Sequence, residues 1–373
     1  MKKIPLKKLK EIDRILFFVP LLLTITGILT IYSGTRPAFE PSHPPFYIRQ
    51  SIWLVISLVA MVAMFAFDYR WLQRLSYYLY MIGLFLLLLT IFEGYIGMGA
   101  QRWLKIGPIR FQPSEVFRIL LIVALSNYLQ SKRSPIDGMT FLISIMVFGL
   151  IPFVLLFKQP DLGTALMLLM IISALVVVYG VRRRVLVTTL SVMLIISPVS
   201  VKLLWQTLKP YQKNRLIAFV QPERDPFKIG YQIEQSKITI GSGRFLGKGY
   251  LKGTQGPLRF LPEKHTDFVF SVFAEEWGFM GSVFILALYL LLIVRGFETA
   301  YIAKDSFSSL VATGISLMLL LYVFVNIAMT MGLMPVVGVP LPFFSYGGTA
   351  LMSNFMAIGL LINIRMRRYK LFY

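Results

Sequence analysis

No cysteine occurs among the 373 residues, which excludes disulfides, thiolate metal sites and cysteine nucleophiles. Histidine occurs only as His43 and His265, too few for a zinc centre. Acidic residues are also scarce: 17 Asp and Glu stand against 38 Lys and Arg, and charged residues of both signs make up 15% of the chain. No cofactor is indicated by these residues. The one metal they admit is a hard divalent cation on carboxylates, Mg²⁺ or Mn²⁺.

What is abundant is apolar. Hydrophobic residues reach 57% and the mean hydropathy is +0.71, which excludes a water-soluble globule. Apolar runs recur at Ile15–Ser33, Ser51–Phe67, Tyr77–Phe92, Phe117–Leu129, Met139–Phe157, Leu162–Val181, Val185–Leu204, Phe268–Val294, Ser308–Met331 and Thr349–Ile364. At ~20 residues per crossing they predict an all-α integral membrane protein of about ten transmembrane helices. Ile15–Ser33 is too long for the apolar core of a cleavable signal peptide. No Pro-, Gly- and Ser-rich linker divides the chain, so residues 1–373 read as a single polytopic domain.

The formal charge of +21 follows from where the cations lie. Basic clusters at Lys2–Lys10, Arg70–Arg74, Lys132-Arg133, Arg182–Arg184 and Arg365–Lys370 all fall on one side, which puts both termini in the cytoplasm by the positive-inside rule. The long loop at 206–266 lies on the other side. It still carries eleven Lys and Arg against Glu223, Asp225, Glu234 and Glu263. Long loops cross regardless of charge. The excess asks for an anionic partner such as lipid phosphate or a substrate diphosphate, and nothing else points to nucleic acid.

Three external connections are more than turns. Gly97–Glu115 mixes aromatics with cations like an interfacial segment, the long loop is the second, and Met334–Gly348 carries Pro335, Pro340, Pro342 and Gly347-Gly348. The third is predicted to re-enter the membrane without being helical, which requires burial in protein or a wet cavity. That all three share a face points to a site there.

Each motif at this face has a plain structural reading beside the functional one. Leu261-Pro262-Glu263-Lys264-His265-Thr266-Asp267 brings two carboxylates, an ammonium and an imidazole to the mouth of an apolar helix. Ionisable groups there are costly and mark function, but Thr266 or Asp267 could simply cap that helix. Glu115 and Arg118 are spaced to pair on one helix face. In Lys158-Gln159-Pro160-Asp161-Leu162-Gly163-Thr164, Asp161 could be a cap or an acidic site residue. The segment Gly241–Gly249 lacks the spacing of a nucleotide-binding phosphate loop. It reads either as a flexible loop or as backbone amides bent around an anion between Arg244, Lys248 and Lys252.

Taken together, these segments resemble the SEDS family (shape, elongation, division and sporulation) over nearly the whole chain. The most specific parts are Pro262–Phe268 followed by Phe273-Ala274-Glu275-Glu276-Trp277-Gly278, and Pro340-Leu341-Pro342-Phe343-Phe344-Ser345-Tyr346-Gly347-Gly348. Gly253-Thr254-Gln255 looks more like the RodA branch than the FtsW branch. The resemblance implies a bacterial inner-membrane glycosyltransferase that polymerises lipid II during elongation and works with a class B penicillin-binding protein as transpeptidase. It matches Asp267 to the family's essential external aspartate, Glu115 and Asp161 to its acidic cavity residues, and Ser345 to its last external loop. Arg118 departs from the expected Lys, and Arg244 from a Gly.

The chemistry suits these residues. Lipid II carries a diphosphate leaving group, so cations suffice for its departure as undecaprenyl diphosphate. The acceptor hydroxyl needs a base, for which one carboxylate is enough in an inverting displacement. Asp267 is that base, with Glu115 and Asp161 to position it, bind the acceptor or hold a divalent cation. Arg102, Arg118, Lys158, Arg215, Lys248 and Ser345 are the substrate-binding candidates. The rival readings are a lipid II flippase, which should place anion-binding groups at the cytoplasmic entrance, and a non-catalytic scaffold.

Overall fold

In a computed structural model the chain is described over residues 12–36, 45–97, 100–107, 109–208, 210–221, 229–254 and 263–368. The Lys2–Lys10 cluster, His43, Leu261, Pro262 and the cations Lys209, Arg224, Lys228 and Arg259 lie outside the described residues.

Each apolar run forms helix. The chain runs α1 (Arg14–Thr35), α2 (Phe46–Ala66), α3 (Tyr69–Glu93), α4 (Pro113–Gln130), α5 (Gly138–Ile143) and α6 (Ile151–Lys158). It continues α7 (Leu162–Tyr179), α8 (Arg183–Thr207), α9 (Pro210–Val220), α10 (Ile229–Ser242), α11 (Val269–Tyr301), α12 (Ser306–Thr330) and α13 (Gly348–Met366). A π-helical turn at Ser144–Leu150 joins α5 and α6 into one rod. Among the described residues eight helical segments are long and apolar enough to cross a bilayer: α1, α2, α3, Gly138–Lys158, α7, α11, α12 and α13. The remaining two predicted runs are α4, of 18 residues, and α8, of 25.

The most enclosed spans are α12 and α13, with 78% and 83% of their apolar windows buried against 22% for α2. Around them α13 packs on α2, α11 on α12, α3 on α4 and α1 on α11. One end of this bundle is tied by ion pairs. Asp13, which caps α1 by accepting from Ile15 and Leu16 N–H, meets Arg295 at 2.7 Å and Arg365 at 2.8 Å. Glu298 joins the same network through Arg365 at 3.0 Å, and Arg367 reaches Asp68 at 3.1 Å.

The opposite end gathers the three connections. The first is the one whose aromatics and cations read as an interfacial segment. It folds as a three-stranded antiparallel sheet of β1 (Tyr95–Gly97), β2 (Ala100–Ile106) and β3 (Ile109–Phe111), with Leu104 paired to Phe111 and Lys105 to Arg110. The third, between α12 and α13, is non-helical as expected and buries Val336, Val339, Leu341, Phe343 and Phe344.

The glycine-rich stretch after α10 is neither a flexible loop nor a set of open amides. Lys248 and Gly249 donate backbone N–H to the carbonyls of Glu275 and Glu276 at 3.0 and 2.9 Å, and Phe279 and Met280 donate back to Arg244 and Phe245. This docking is possible because α11 breaks at Gly278 (φ 64°, ψ −162°), where a Cβ would come within 2.3 Å of the Gly247 nitrogen. Only glycine accepts that backbone and that approach.

Candidate active site

A cavity of about 820 Å³, including its open mouth, lies where the connections meet. Arg102, Trp103 and Gln112 come from the first connection, Glu115 from the first turn of α4, and Thr164 from the first turn of α7. Thr266 and Asp267 come from the end of the long loop, and Gly338, Val339, Pro340, Tyr346 and Gly347 from the third connection.

Asp267 is held by its backbone rather than spent as a cap. The first residue before α11 is Phe268, with no side-chain cap bond, so the capping reading of Thr266 and Asp267 does not apply. The 263–268 turn is instead sewn to the third connection. Ser345 Oγ donates to the Thr266 carbonyl at 2.7 Å and accepts from Leu341 N–H at 2.8 Å, while Tyr346 N–H donates to the His265 carbonyl at 2.8 Å. Asn326, near the C-terminal end of α12, donates through Nδ2 to the carbonyls of Asp267 at 3.2 Å and Val339 at 2.7 Å. Gln50 of α2 clasps the third connection, donating to the Ser345 carbonyl at 3.0 Å and accepting from Gly347 N–H at 3.2 Å. His265 stacks on Phe46 with ring centres 4.1 Å apart.

Burial pushes the Asp267 carboxyl up from 3.8 to about 6; Arg215 and Arg102 pull it down and Glu263 adds to the rise. A carboxylate in that range is still ionised at neutral pH and is a stronger base than a solvated aspartate.

The other two acidic residues face arginines. Glu115 Oε2 lies 2.9 Å from Arg118 Nη2, both side chains almost fully buried, so the predicted helix-face pair forms. Arg118 also donates to Ser353 Oγ and Asn354 Oδ1, each at 2.7 Å, and lies over the Tyr322 ring at 4.6 Å. It therefore fastens α4 to α12 and α13 from beneath the cavity instead of lining it. Asp161 does cap α7, accepting from Thr164 N–H at 3.4 Å, and also meets Arg102 Nη1 at 3.5 Å. Arg102 Nη2 donates to the Pro160 carbonyl at 2.5 Å, which fixes the guanidinium at the cavity wall.

Of the remaining candidates, Arg215 on α9 donates through Nη1 to the Val337 carbonyl at 2.9 Å, beside the cavity. Ser345 is a buried brace of the Asp267 turn. Lys158 is exposed at the end of α6 and does not line the cavity. Lys248 is drawn away to Glu275 at 2.6 Å, where Glu275 also accepts from Thr254. Among the described residues no three carboxylates or histidines gather to hold a metal ion. Glu115 and Asp161, the carboxylates that could hold a divalent cation, each meet an arginine, at 2.9 and 3.5 Å.

Gln50, Tyr322 and Asn326 were not singled out in the sequence. Asn326 had a visible signal, an amide within the apolar run of α12, whereas Gln50 and Tyr322 sit at helix positions that nothing distinguishes.

The family model described as "Cell cycle protein" (FtsW/RodA/SpoVE) matches residues 13–370. The chain belongs to this family. It is 41% identical over 362 residues to peptidoglycan glycosyltransferase MrdB of Escherichia coli K12, covering 96% of this chain and 94% of that protein. It is 31% identical to peptidoglycan glycosyltransferase RodA of Treponema pallidum, covering 97% and 99% of the two chains. Among solved structures, a chain of a peptidoglycan synthase complex coordinating polymerization and crosslinking superposes with a TM-score of 0.82 at 33% identity, over 96% of this chain and 99% of that one. RodA of Thermus thermophilus superposes at 0.69 with 30% identity, over 96% and 98%.

Proposed function

We infer that this family member is a peptidoglycan glycosyltransferase that polymerises lipid II, with Asp267 as the base. The observation that carries the reading is the Asp267 carboxyl itself. It opens on a cavity built from three connections, has no capping duty, and its backbone is braced by Asn326 at the Asp267 carbonyl and by Ser345 at the preceding Thr266 carbonyl.

The acceptor sugar oxygen attacks the anomeric carbon of the donor as its proton passes to Asp267. The bond from that carbon to the diphosphate breaks, the electron pair leaves with the diphosphate, and configuration inverts. Arg102 stands at the wall to receive phosphate charge, oriented by Asp161 and the Pro160 carbonyl. Glu115 is held by Arg118 where it can accept from an acceptor hydroxyl.

The polar groups lie at one end of the bundle, whereas the Asp13–Arg295–Arg365 network closes the other. That asymmetry suits polymerisation on one face better than passage through the bundle. The reading places the protein in the bacterial inner membrane with both termini cytoplasmic and the cavity outside. It gives it a class B penicillin-binding protein as partner, in keeping with the synthase complex whose chain it superposes on.

Purified protein given labelled lipid II in detergent should yield glycan strands. A preparation that moves labelled lipid II across proteoliposomes but never lengthens it would be a flippase.

A further inference from the structure

At the end of the bundle opposite the cavity, the connection between α4 and α5 is sewn to the one between α7 and α8. Ile136 N–H donates to the Gly180 carbonyl at 2.9 Å and Arg182 N–H to the Ile136 carbonyl at 3.2 Å, a short parallel bridge between Ile136 and Val181. Ser134 Oγ donates to the Tyr179 carbonyl at 2.8 Å, and the Tyr179 hydroxyl donates to the Lys132 carbonyl at 2.5 Å. Lys132 and Arg133 are thereby gathered at one corner with Arg182, Arg183 and Arg184, all of them exposed.

This corner lacks what other cations at the same end have. Arg295 and Arg365 meet Asp13 and Glu298, and Arg367 meets Asp68. Here the one carboxylate of the two connections, Asp137, caps α5 by accepting from Thr140 N–H at 3.2 Å. Lys132 lies over the Tyr128 ring at 5.0 Å. Among the described residues Arg133, Arg183 and Arg184 make no ion pair. The positive-inside rule asks for cations at this end. It does not ask that cations from two connections be held together without carboxylates, where they repel one another.

Apolar surface starts at the same corner. A Cβ on Gly138, the first residue of α5, would stand 3.8 Å from Val185 Cγ2 in the first turn of α8, so the two helices touch there. Beyond that point α8 packs extensively on no other element among the described residues. Met139 and Leu142 on α5 are 65% and 49% exposed, and Val187 and Leu190 on α8 are 53% and 65% exposed. Guanidinium forks beside apolar helix faces match a phosphodiester headgroup with acyl chains, whereas an acidic peptide would leave those faces uncovered. We propose that this corner binds an anionic phospholipid of the cytoplasmic leaflet, with its phosphate on Arg133, Arg183 and Arg184 and its chains along α5 and α8. The site lies outside the cavity and goes beyond the polymerase reading, on which it rests only for the side of the membrane.

A photo-reactive amino acid at Leu190 tests it, in protein reconstituted into phosphatidylcholine nanodiscs doped with labelled phosphatidylglycerol. Val59 on α2, 66% exposed against 65% for Leu190, is the control for ordinary lipid contact. Leu190 should label several-fold more than Val59, and unlabelled phosphatidylglycerol should displace the label. Glycerol phosphate, which lacks the chains, should not; displacement by it would reduce the corner to a phosphate site and overturn the assignment. Arg133→Ala, Arg183→Ala and Arg184→Ala combined should lower labelling at Leu190 about tenfold or more and leave Val59 unchanged. Arg133→Lys, Arg183→Lys and Arg184→Lys combined keep the charge, so bulk attraction predicts full labelling. A phosphate seated on guanidinium forks predicts a several-fold loss there. Equal labelling at the two positions would mean ordinary lipid contact and overturn the proposal. Labelling at Leu190 indifferent to the arginines would do the same and leave the corner to an acidic protein. Displacement by lipid II as strong as by phosphatidylglycerol would make it a substrate entrance instead. In this cysteine-free chain, an Arg133→Cys protein labelled in cells by an impermeant thiol reagent from outside would refute the leaflet and the orientation, with the nanodisc result standing apart.

Discussion

Arg215 and Asp267 both border Gly338, where an added Cβ would stand 3.4 Å from Arg215 Nη1 and 3.5 Å from Asp267 Oδ2, one brought by the helix α9 of the long loop and the other by the turn that ends it. The basic excess of that loop thus has a local meaning at one residue. Arg215 holds Asp267 below the value its burial alone would set, and Arg102 adds to this while Glu263 opposes it.

The pH profile should report this relationship. With the carboxyl at about 6, kcat/KM for lipid II should fall as pH drops through 6, because the protonated acid cannot accept the hydroxyl proton. Arg215→Ala removes the larger of the lowering charges and should move that inflection to higher pH. Arg215→Lys, keeping the charge, should move it less. Initial rates between pH 5 and 8 check both shifts.

Asp267 should cost stability. Its carboxyl titrates at 3.8 in the free chain and at about 6 in the protein, so the folded state holds the proton more tightly. That stabilisation is complete below about pH 4 and is lost as pH rises through 6, by about 3 kcal/mol at most. At neutral pH Asp267→Asn should therefore melt at or above the wild-type temperature in detergent. A lowered midpoint would mark the residue as structural.

Gly278→Ala should be severe although Gly278 touches no cavity residue. The backbone there is in a region only glycine enters, and the added carbon would strike Gly247. A loss of about 1–3 kcal/mol is expected, read as a lower thermal midpoint. Because the glycine stretch docks through this break, proteolysis between residues 243 and 254 should also speed up.

Arg118→Ala should cost about 3–5 kcal/mol, since it strands the buried Glu115 carboxyl. Arg118→Lys should recover part of the loss. An ammonium can meet Glu115 but cannot also reach Ser353 and Asn354 in the same plane or stack on Tyr322. Thermal midpoints of the two variants distinguish these outcomes.

The sequence was most legible where one residue type did one thing. The ten apolar runs became helices because burial of such lengths leaves the backbone no other way to satisfy itself. The Glu115–Arg118 pair followed from helical spacing, and convergence of the three connections from their shared side. Less legible were features set by partners distant in sequence. The sheet at 95–111 needs its strands to find each other. Lys248 looked like an anion ligand until Glu275, 27 residues on, claimed it. Asp161 proved to be both cap and arginine partner, two readings that local sequence had set against each other. Asn326 braces the Asp267 turn and Gln50 the third connection, each from a helix far along the chain, and no local pattern announces such roles.

The central claim, that Asp267 takes the acceptor proton, is tested most directly by the initial rate of lipid II polymerisation in neutral detergent for wild type and Asp267→Asn. Lipid II binding should be measured on the same preparations. The account predicts a rate lower by about 10²–10⁴ with binding retained. A folded Asp267→Asn protein that polymerises lipid II near the wild-type rate would contradict it.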